Sequence, residues 1–318
     1  MSSAGDQEAS RLDDAARAGW LYYVAGNTQD EIARKLGVSR QSAQRLVSLA
    51  VSEKLVKVRL DHPIAKCMEL AHRLSQTFGL VSCEVAPSDP DAPAALNGVA
   101  QLAAGEIERI LKSDHPKIIA LGTGRALRAC VEQLPMMDCP QHRIVSLLGN
   151  MMSDGAATPY NVVIRMADRV NARHYPMPLP VHARSSEERR ILHNQEPVHN
   201  ILELARQADV TFVGIGNMDI DAPIYIDGFL TREELRAYHK AGAVGEITSW
   251  AYDSDGRIID GLVNDRVNSA PIIVNSPNPV FGVATGDAKV PAIRAAMRGK
   301  LINRLITNEH TAERLLEE

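Results

Sequence analysis

The sequence predicts an α/β protein in two parts: a small helical N-terminal module, then a larger domain built on a largely parallel sheet. Three observations carry this reading. Strand-like and helix-like segments alternate over roughly 250 residues, the signature of parallel strands joined by crossover helices. The first sixty residues instead show helical periodicity punctuated by caps and a turn glycine. The length, 318 residues at 45% hydrophobic and 23% charged, suits about two domains with real cores. Aromatics are only 4%, so those cores must be mostly aliphatic.

The elements follow in order. Leu12–Ala25 reads as a helix stopped by Gly26-Asn27. Thr28-Gln29-Asp30-Glu31 has capping-box spacing and starts a second helix, which ends at Gly37. Ser39 caps a third helix running to about Lys54. Val56–Leu60 alternates and reads as a short strand or wing. Asp61-His62-Pro63 marks the boundary, dividing the chain into residues 1–60 and 61–318. A helix over Ile64–Phe78 follows. Strands are expected at Leu80–Val85, Lys117–Leu121, Arg143–Leu148 and Val210–Gly214. Short strands are expected at Arg257–Asp260, Ile272–Val274, Val280–Ala284 and Asn303–Thr307. Helices are expected at Gly98–Lys112, Arg125–Gln133, Asn161–Asn171, Glu187–Gln207 (with a break at Pro197), Arg232–Ala241 and Ala288–Lys300, with a last short one reaching Glu318. Pro176–Pro180 reads as a proline-rich connection.

Some classes are disfavoured at once. No apolar run reaches the ~18 residues of a membrane helix. Met1–Asp14 is small, polar and acidic, unlike a signal peptide, so a cytoplasmic location is expected. Cys67, Cys83, Cys130 and Cys139 form no CxxC pair, which argues against a zinc knuckle or disulfide framework. The net charge of −4 looks wrong for a nucleic-acid binder, but its distribution is uneven. Residues 28–60 place Arg34, Lys35, Arg40, Arg45, Lys54, Lys57 and Arg59 against Asp30, Glu31 and Glu53. A basic segment on an acidic body fits nucleic-acid binding by one part only.

Thr28–Leu46 is the sharpest signal. Ile32, Ala33 and Leu36 form the inner face of one helix, Gly37 permits a tight turn, and Val38 is expected to plug the gap. Ala43, Leu46, Val47 and Ala50 bury the third helix at helical spacing. Arg40, Gln41, Gln44, Arg45 and Ser48 are left outside. A helix presenting Arg and Gln from its first turns can enter a major groove and bond base edges. Thr28, Gln29 and Ser39, at helix starts, suit phosphate contacts. The bland alternative is a solvated helical hairpin. One such module buries little surface on DNA, so a dimer is expected.

In the large domain, Leu121-Gly-Thr-Gly-Arg125 carries a strand into a helix. Free N–H groups, the Thr123 hydroxyl and the Arg125 guanidinium converge there, which makes a cradle for phosphate or carboxylate from Gly122, Thr123, Gly124 and Arg125. The spacing is neither G-x-G-x-x-G nor a Walker A loop; a turn needed only for packing is the alternative. Asn150, Ser153 and Asp154, after the next strand, can bond hydroxyls or form an ordinary polar loop. Lys289, expected in the first turn of a helix, opposes its dipole unless an anion lies between; otherwise it is solvated. Val213-Gly-Ile-Gly-Asn-Met-Asp219 ends a strand with small residues, as ligand crevices do, and Asp219 is a ligand or a loop cap. Glu246 accepts from sugar hydroxyls or is a surface charge. No catalytic constellation is present: there is no G-x-S-x-G and no H-E-x-x-H, and His193 and His199 are wrongly spaced for one helix face.

These residues, in this order, resemble the SorC family of bacterial sugar-responsive transcriptional regulators. The resemblance rests on the helix-turn-helix at 28–46, Leu-Gly-Thr-Gly-Arg at 121–125, Gly-Ile-Gly at 214–216, Gly-Glu-Ile at 245–247 and the segment 284–300, and is closest to regulators of polyol catabolism. It implies a winged-helix-like DNA-binding domain and a Rossmann-like effector domain resembling sugar-phosphate isomerases and deaminases. It also implies a sugar or sugar-phosphate effector, operator DNA as partner and a homodimer or homotetramer; neither cofactor nor metal is expected. By position Gly122, Thr123, Gly124 and Arg125 match the phosphate-side loop, Glu246 an acid that meets sugar hydroxyls, and Lys289 a lysine near the ligand. Asn150 and Asp154 fall in a loop that here lacks the double glycine of several members. The rival readings are a sensor of unphosphorylated polyol and a sugar-phosphate isomerase or deaminase fused to a DNA module.

Overall fold

The computed structural model describes residues 4–53, 55–56, 64–152 and 154–317. The chain divides into two compact units, Met1–His62 and Pro63–Glu318.

The first unit holds α1 (Ala4–Tyr23), α2 (Gln29–Leu36) and α3 (Arg40–Ser52). Ala18, Ile32, Ala43 and Val47 form its centre, with Leu21, Ala33, Leu36 and Leu46 packed around them. Small residues at the crossing let the helices approach closely; a Cβ on Gly19 would run into Ala50 and Val56. Gly37 ends α2 at φ 67°, ψ 30°, a left-handed conformation that glycine adopts without strain. Val38 is 36% exposed and does not plug the helix junction. The left-handed turn carries its side chain outward, and Leu36 and Leu46 cover the centre instead. Of the expected wing, residues 57–60 lie outside the described residues.

The second unit begins with α4 (Ala65–Phe78), followed by β1 (Ser82–Ala86), α5 (Asn97–Leu111), β2 (Ile118–Leu121), α6 (Arg125–Gln133), β3 (Arg143–Met151) and α7 (Val162–Val170). Next come β4 (Arg173–Pro180), α8 (Ser186–His193), α9 (Glu196–Arg206), β5 (Val210–Gly214), β6 (Gly216–Asn217), α10 (Pro223–Ile226) and α11 (Arg232–Lys240). The chain ends with β7 (Ala243–Ile247), β8 (Trp250–Asp253), β9 (Val280–Val283), α12 (Val290–Arg298), β10 (Arg304–Asn308) and α13 (Glu309–Leu316).

Among the described residues seven strands pair in parallel, in the order β1-β10-β9-β5-β2-β3-β4. Alternate residues face opposite layers. Ile119, Leu121, Ile144, Phe212 and Ile306 pack under α5, α6 and α7. Ala120 and Val145 face α9, and Val213 and Leu305 meet α4 and α12. Phe212 stacks on Phe281 with centroids 4.7 Å apart. A second, antiparallel sheet of order β6-β7-β8 stands beside the first.

Four expectations fail for identifiable reasons, and a fifth, the helix break at Pro197, is met. Pro176–Pro180 is not a connection: it lies in β4, which among the described residues pairs only with β3. Proline is tolerated there because an edge strand leaves one row of N–H groups unused. The expected strand Ile272–Val274 is irregular, and Arg257–Asp260 contributes only an isolated bridge, Tyr252 to Ile258. Two or three apolar residues are too few to identify a strand by themselves. The long helix breaks two residues before Pro197, which then lies in the first turn of α9, where its missing N–H is not needed. The helix expected from Ala288 starts as a 3-10 turn over Asp287–Lys289 and becomes α-helical at Val290.

Candidate functional site

The strand order places a switch point beside β2. The chain passes from β2 to β3 and β4 on one side, and from β5 to β9 and β10 on the other. In such sheets a crevice opens at the carboxyl ends of the strands where the order reverses. A cavity of about 480 Å³ lies there, reached by the segments that follow β2, β5 and β9.

After β2, the Gly122 N–H donates to the Phe212 carbonyl (2.8 Å). Gly124 takes φ 108°, ψ 174° and starts α6 with no side-chain cap. The first N–H groups of α6 are therefore left for another acceptor. Thr123, Gly124 and Arg125 line the cavity, and Arg125 is exposed to it. After β9 a second Thr-Gly pair repeats the device. Gly286 has φ 111°, ψ 146°, again with no side-chain cap on the turn that follows. Here the Gly286 N–H donates to Thr311 Oγ1 (2.9 Å), and Thr285 and Thr311 share a hydroxyl bond of 3.0 Å. Asp287 is occupied by His310 (2.9 Å) and Arg314 (3.5 Å). Lys289 is the residue immediately preceding α12 and lines the same cavity.

After β5 the antiparallel sheet adds the acidic side. Glu246 on β7 sits opposite Gly216 on β6. Its Oε1 occupies the space that a Cβ on Gly216 would fill, so glycine is needed for the carboxylate to lie there. Its Oε2 accepts from the Ser249 N–H (2.8 Å). Asn217 Nδ2 donates to Asp219 Oδ2 (3.3 Å) and Asp221 Oδ1 (3.4 Å). Asp221 lines the cavity and Asp219 does not. The Tyr160 hydroxyl donates to Asp227 Oδ2 (2.7 Å), which ties the residue after α10 to the rim.

The electrostatics follow from burial. Desolvation pushes the Glu246 carboxyl above its ordinary value, opposed by the Ser249 N–H and by Lys289. Desolvation also holds the Lys289 ammonium below its ordinary value; Glu246 opposes this and Arg125 adds to it. Burial, then the bond to Asp227, pushes Tyr160 up to about 12, so it remains a donor at neutral pH. Arg125 and Lys289 are the cationic side chains of the lining. Among the described residues neither has a carboxylate within ion-pair distance. A half-buried ammonium and an exposed guanidinium therefore stand beside helix N-termini without side-chain caps, an arrangement of positive charge that suits an anion.

Of the residues singled out in the sequence, the structure therefore brings Thr123, Gly124, Arg125, Glu246 and Lys289 to one cavity. Gly122 stands behind it, where a Cβ would lie 3.2 Å from Thr248 Cγ2. Asn150 faces a separate, water-sized pocket of about 30 Å³. Asp154 is exposed, accepts from the Ala156 N–H (2.9 Å) and lines neither. Ser153 lies outside the described residues. Sequence reasoning missed Tyr160, Asp221, Asp227, Thr248 and Ser249, which lie in or just before segments whose placement only the fold reveals.

In the first unit the Thr28 N–H and hydroxyl both donate to Glu31 Oε2 (2.8 and 2.9 Å), completing a capping box. Ser39 Oγ accepts from the Ser42 N–H (3.1 Å) at the start of α3. Arg40, Gln41, Gln44, Arg45 and Ser48 are exposed on α3, and Gln29 is half-exposed on α2. Arg40 leans on Asp30 at 3.5 Å, with both side chains largely exposed; a surface pair of this kind is weak enough to exchange for a phosphate.

Residues 62–317 match the protein family described as "Putative sugar-binding domain". The chain belongs to the SorC family. The erythritol catabolism regulatory protein EryD of Brucella abortus is 32% identical over 302 residues, covering 95% of this chain and 96% of that protein. The transcriptional regulator LsrR of Klebsiella pneumoniae is 31% identical, covering 95% and 92%. The crystal structure of the full-length sorbitol operon regulator SorC from Klebsiella pneumoniae superposes with a TM-score of 0.69 at 26% identity, covering 96% of this chain and 99% of that one. The chain is a transcriptional regulator of the SorC type that carries the family's sugar-binding domain. Among the described residues no helix is long and apolar enough to cross a membrane.

Proposed function

We propose that residues 1–60 bind a two-fold operator and that residues 61–318 bind a phosphorylated sugar or polyol and hold the oligomer together, without catalysing a reaction. In this reading Arg40, Gln41, Gln44 and Arg45 on α3 meet base edges, while Gln29 and the helix starts at Thr28 and Ser39 position the module on phosphates. The phosphate of the effector sits on the Gly122–Arg125 loop and Lys289. Glu246, Asp221 and Asp227 accept from its hydroxyls. Arg125 and Lys289, cations without a carboxylate partner at an uncapped helix start, are the observation that carries the phosphorylated effector. The effector acts by binding one arrangement of the oligomer better than another. A coupling of about 1–3 kcal/mol changes operator affinity roughly 5–150-fold.

A second reading, an unphosphorylated polyol, draws on one observation: carboxylates of Asp221, Asp227, Glu246 and Asp287 outnumber the two cations in the lining. One experiment separates the two. Sugars, polyols and their phosphates are titrated into the full chain and its Arg125→Ala variant while thermal stability is followed, since a ligand of the native state raises it. The phosphorylated reading expects a saturable shift with a phosphate ester and its near-loss in Arg125→Ala. A shift with the free polyol alone, unchanged in Arg125→Ala, overturns it.

A further inference from the structure

The hairpin that carries Glu246 is joined in an improbable way. Ile247 pairs directly with Trp250, so Thr248 and Ser249 alone make the turn between β7 and β8. Both have positive φ, 49° and 71°, the geometry of a type I′ turn, which favours Asn-Gly. A side chain in that left-handed region crowds the next carbonyl oxygen, and for a β-branched residue such as threonine it is a true outlier. Strain of this kind persists only where surrounding structure enforces it, and it gathers at ligand sites.

The turn is also inside the protein. Thr248 is 8% and Ser249 7% exposed, and both line the effector cavity. Among the described residues neither hydroxyl bonds another protein group, and neither oxygen is sealed from the cavity that the two residues line, so both are available to a ligand there. The Ser249 N–H is spent on Glu246 Oε2, and Gly216 leaves room for Oε1. The turn therefore fixes a carboxylate, which only accepts, next to two hydroxyls, which both donate and accept. Adjacent hydroxyls of a polyol or sugar need that combination.

We infer that Thr248 and Ser249 are specificity-determining residues of the effector site, their hydroxyls bonding the hydroxyl-bearing part of the effector, and that the strained turn is retained to hold them there. The inference rests on the reading of this cavity as the effector site.

The test uses the full chain with Ser249→Ala, Ser249→Gly and Thr248→Val. The probes are glycerol phosphate, erythritol phosphate, glucitol phosphate, the three free polyols, and inorganic phosphate alone. Binding is followed by calorimetry and stability by thermal melting. Ser249→Ala keeps the strain and removes the hydroxyl; Ser249→Gly removes both; Thr248→Val keeps the shape beside Gly122. The expected result is an affinity about tenfold lower for the best polyol probe in each variant, with binding of inorganic phosphate unchanged. Only Ser249→Gly should also melt at a higher temperature than the wild type. Wild-type polyol affinity in both Ser249→Ala and Thr248→Val overturns the inference and leaves the effector site standing. Failure of the wild type to bind any probe overturns the effector reading and this inference together.

Discussion

The chain starts α2 and α6 in opposite ways. At α2 the Thr28 hydroxyl accepts the Glu31 N–H, the Glu31 carboxylate returns to the Thr28 N–H, and Asp30 adds a second acid to the first turn. The positive end of that helix is satisfied from within. At α6 Gly124 supplies no side chain, the first turn has no acid, and Arg125 adds a cation to an end that is already positive. The turn before α12 repeats this with Gly286 and Lys289, although Asp287 lies between them. A helix start with its own cap is a stability device. One that gathers N–H groups and cations without an anion is unfinished until something negative arrives. The contrast separates a helix start whose first N–H groups are satisfied within the chain from one that leaves them open, as the proposed effector site requires.

The sharpest way to break this contrast is to remove the half-buried cation. Lys289→Met should weaken binding of the effector about 10–150-fold, the worth of a charge-assisted hydrogen bond of roughly 1.5–3 kcal/mol. The melting temperature without effector should not fall, because an ammonium held below its ordinary value by burial costs stability rather than adding it. Calorimetric titration beside a thermal melt checks both halves. Equal loss of stability and affinity would mean that Lys289 is structural.

Next in size is the outer face of α3. Arg40→Ala and Gln44→Ala should each weaken operator binding by about 1–3 kcal/mol if each reads a base edge, with effector affinity unchanged. A fluorescence-anisotropy titration on operator DNA reads the loss. Affinity should also drop steeply with added salt as phosphate contacts release counterions. If both variants keep full operator affinity, α3 is only a solvated face.

The two helix starts then predict different phenotypes for single changes. Thr28→Ala removes a capping box and should cost the first unit about 1 kcal/mol, read as a lower melting temperature with effector affinity intact. Gly124→Ala places its Cβ in open space, with nothing within 4 Å. Its cost is therefore backbone strain at a conformation that is essentially glycine's own, and effector affinity should fall with it. If Thr28→Ala also disturbed the effector, the division of labour would be wrong.

Much of this was legible from the sequence, and the limits have physical causes. Thr28, Ser39 and Gly37 announce their roles because caps and left-handed turns depend on neighbours a few residues away. The strands ending at Leu121 and Gly214 are apolar runs long enough to identify. β4 was hidden because its prolines read as a break, and only its position at the sheet edge, decided by long-range pairing, makes them harmless. β8 and the pairing of β6 with β7 were hidden because β6 spans just two residues. The Thr123–Arg125 loop and Lys289 could be suspected singly, yet their meeting depends on the order in which strands lie side by side. Thr248 and Ser249 give no local signal at all, since their sequence argues against the turn they form.

The smallest effect expected is a change in pH dependence at Glu246. Burial raises its folded pKa above the ordinary value, so proton binding favours the folded state. That contribution is fully present below the unfolded pKa and is lost as pH rises through the folded one. The groups that face Glu246 moderate this without reversing it: the Ser249 N–H and Lys289 both favour the charged form. Glu246→Gln keeps an acceptor for the Ser249 N–H but cannot ionise. Thermal melts without effector should therefore show the variant gaining on the wild type as pH rises from about 4 to 8, with the advantage shrinking at the acid end. The affinity of the variant for a polyol probe should fall in the same range, because a neutral amide accepts more weakly than a carboxylate. A pH-independent difference in melting would show that Glu246 is ionised at no greater cost in the cavity than in the unfolded chain. The tie between Ser249, Gly216 and Glu246 would then be a packing arrangement rather than a poised acceptor.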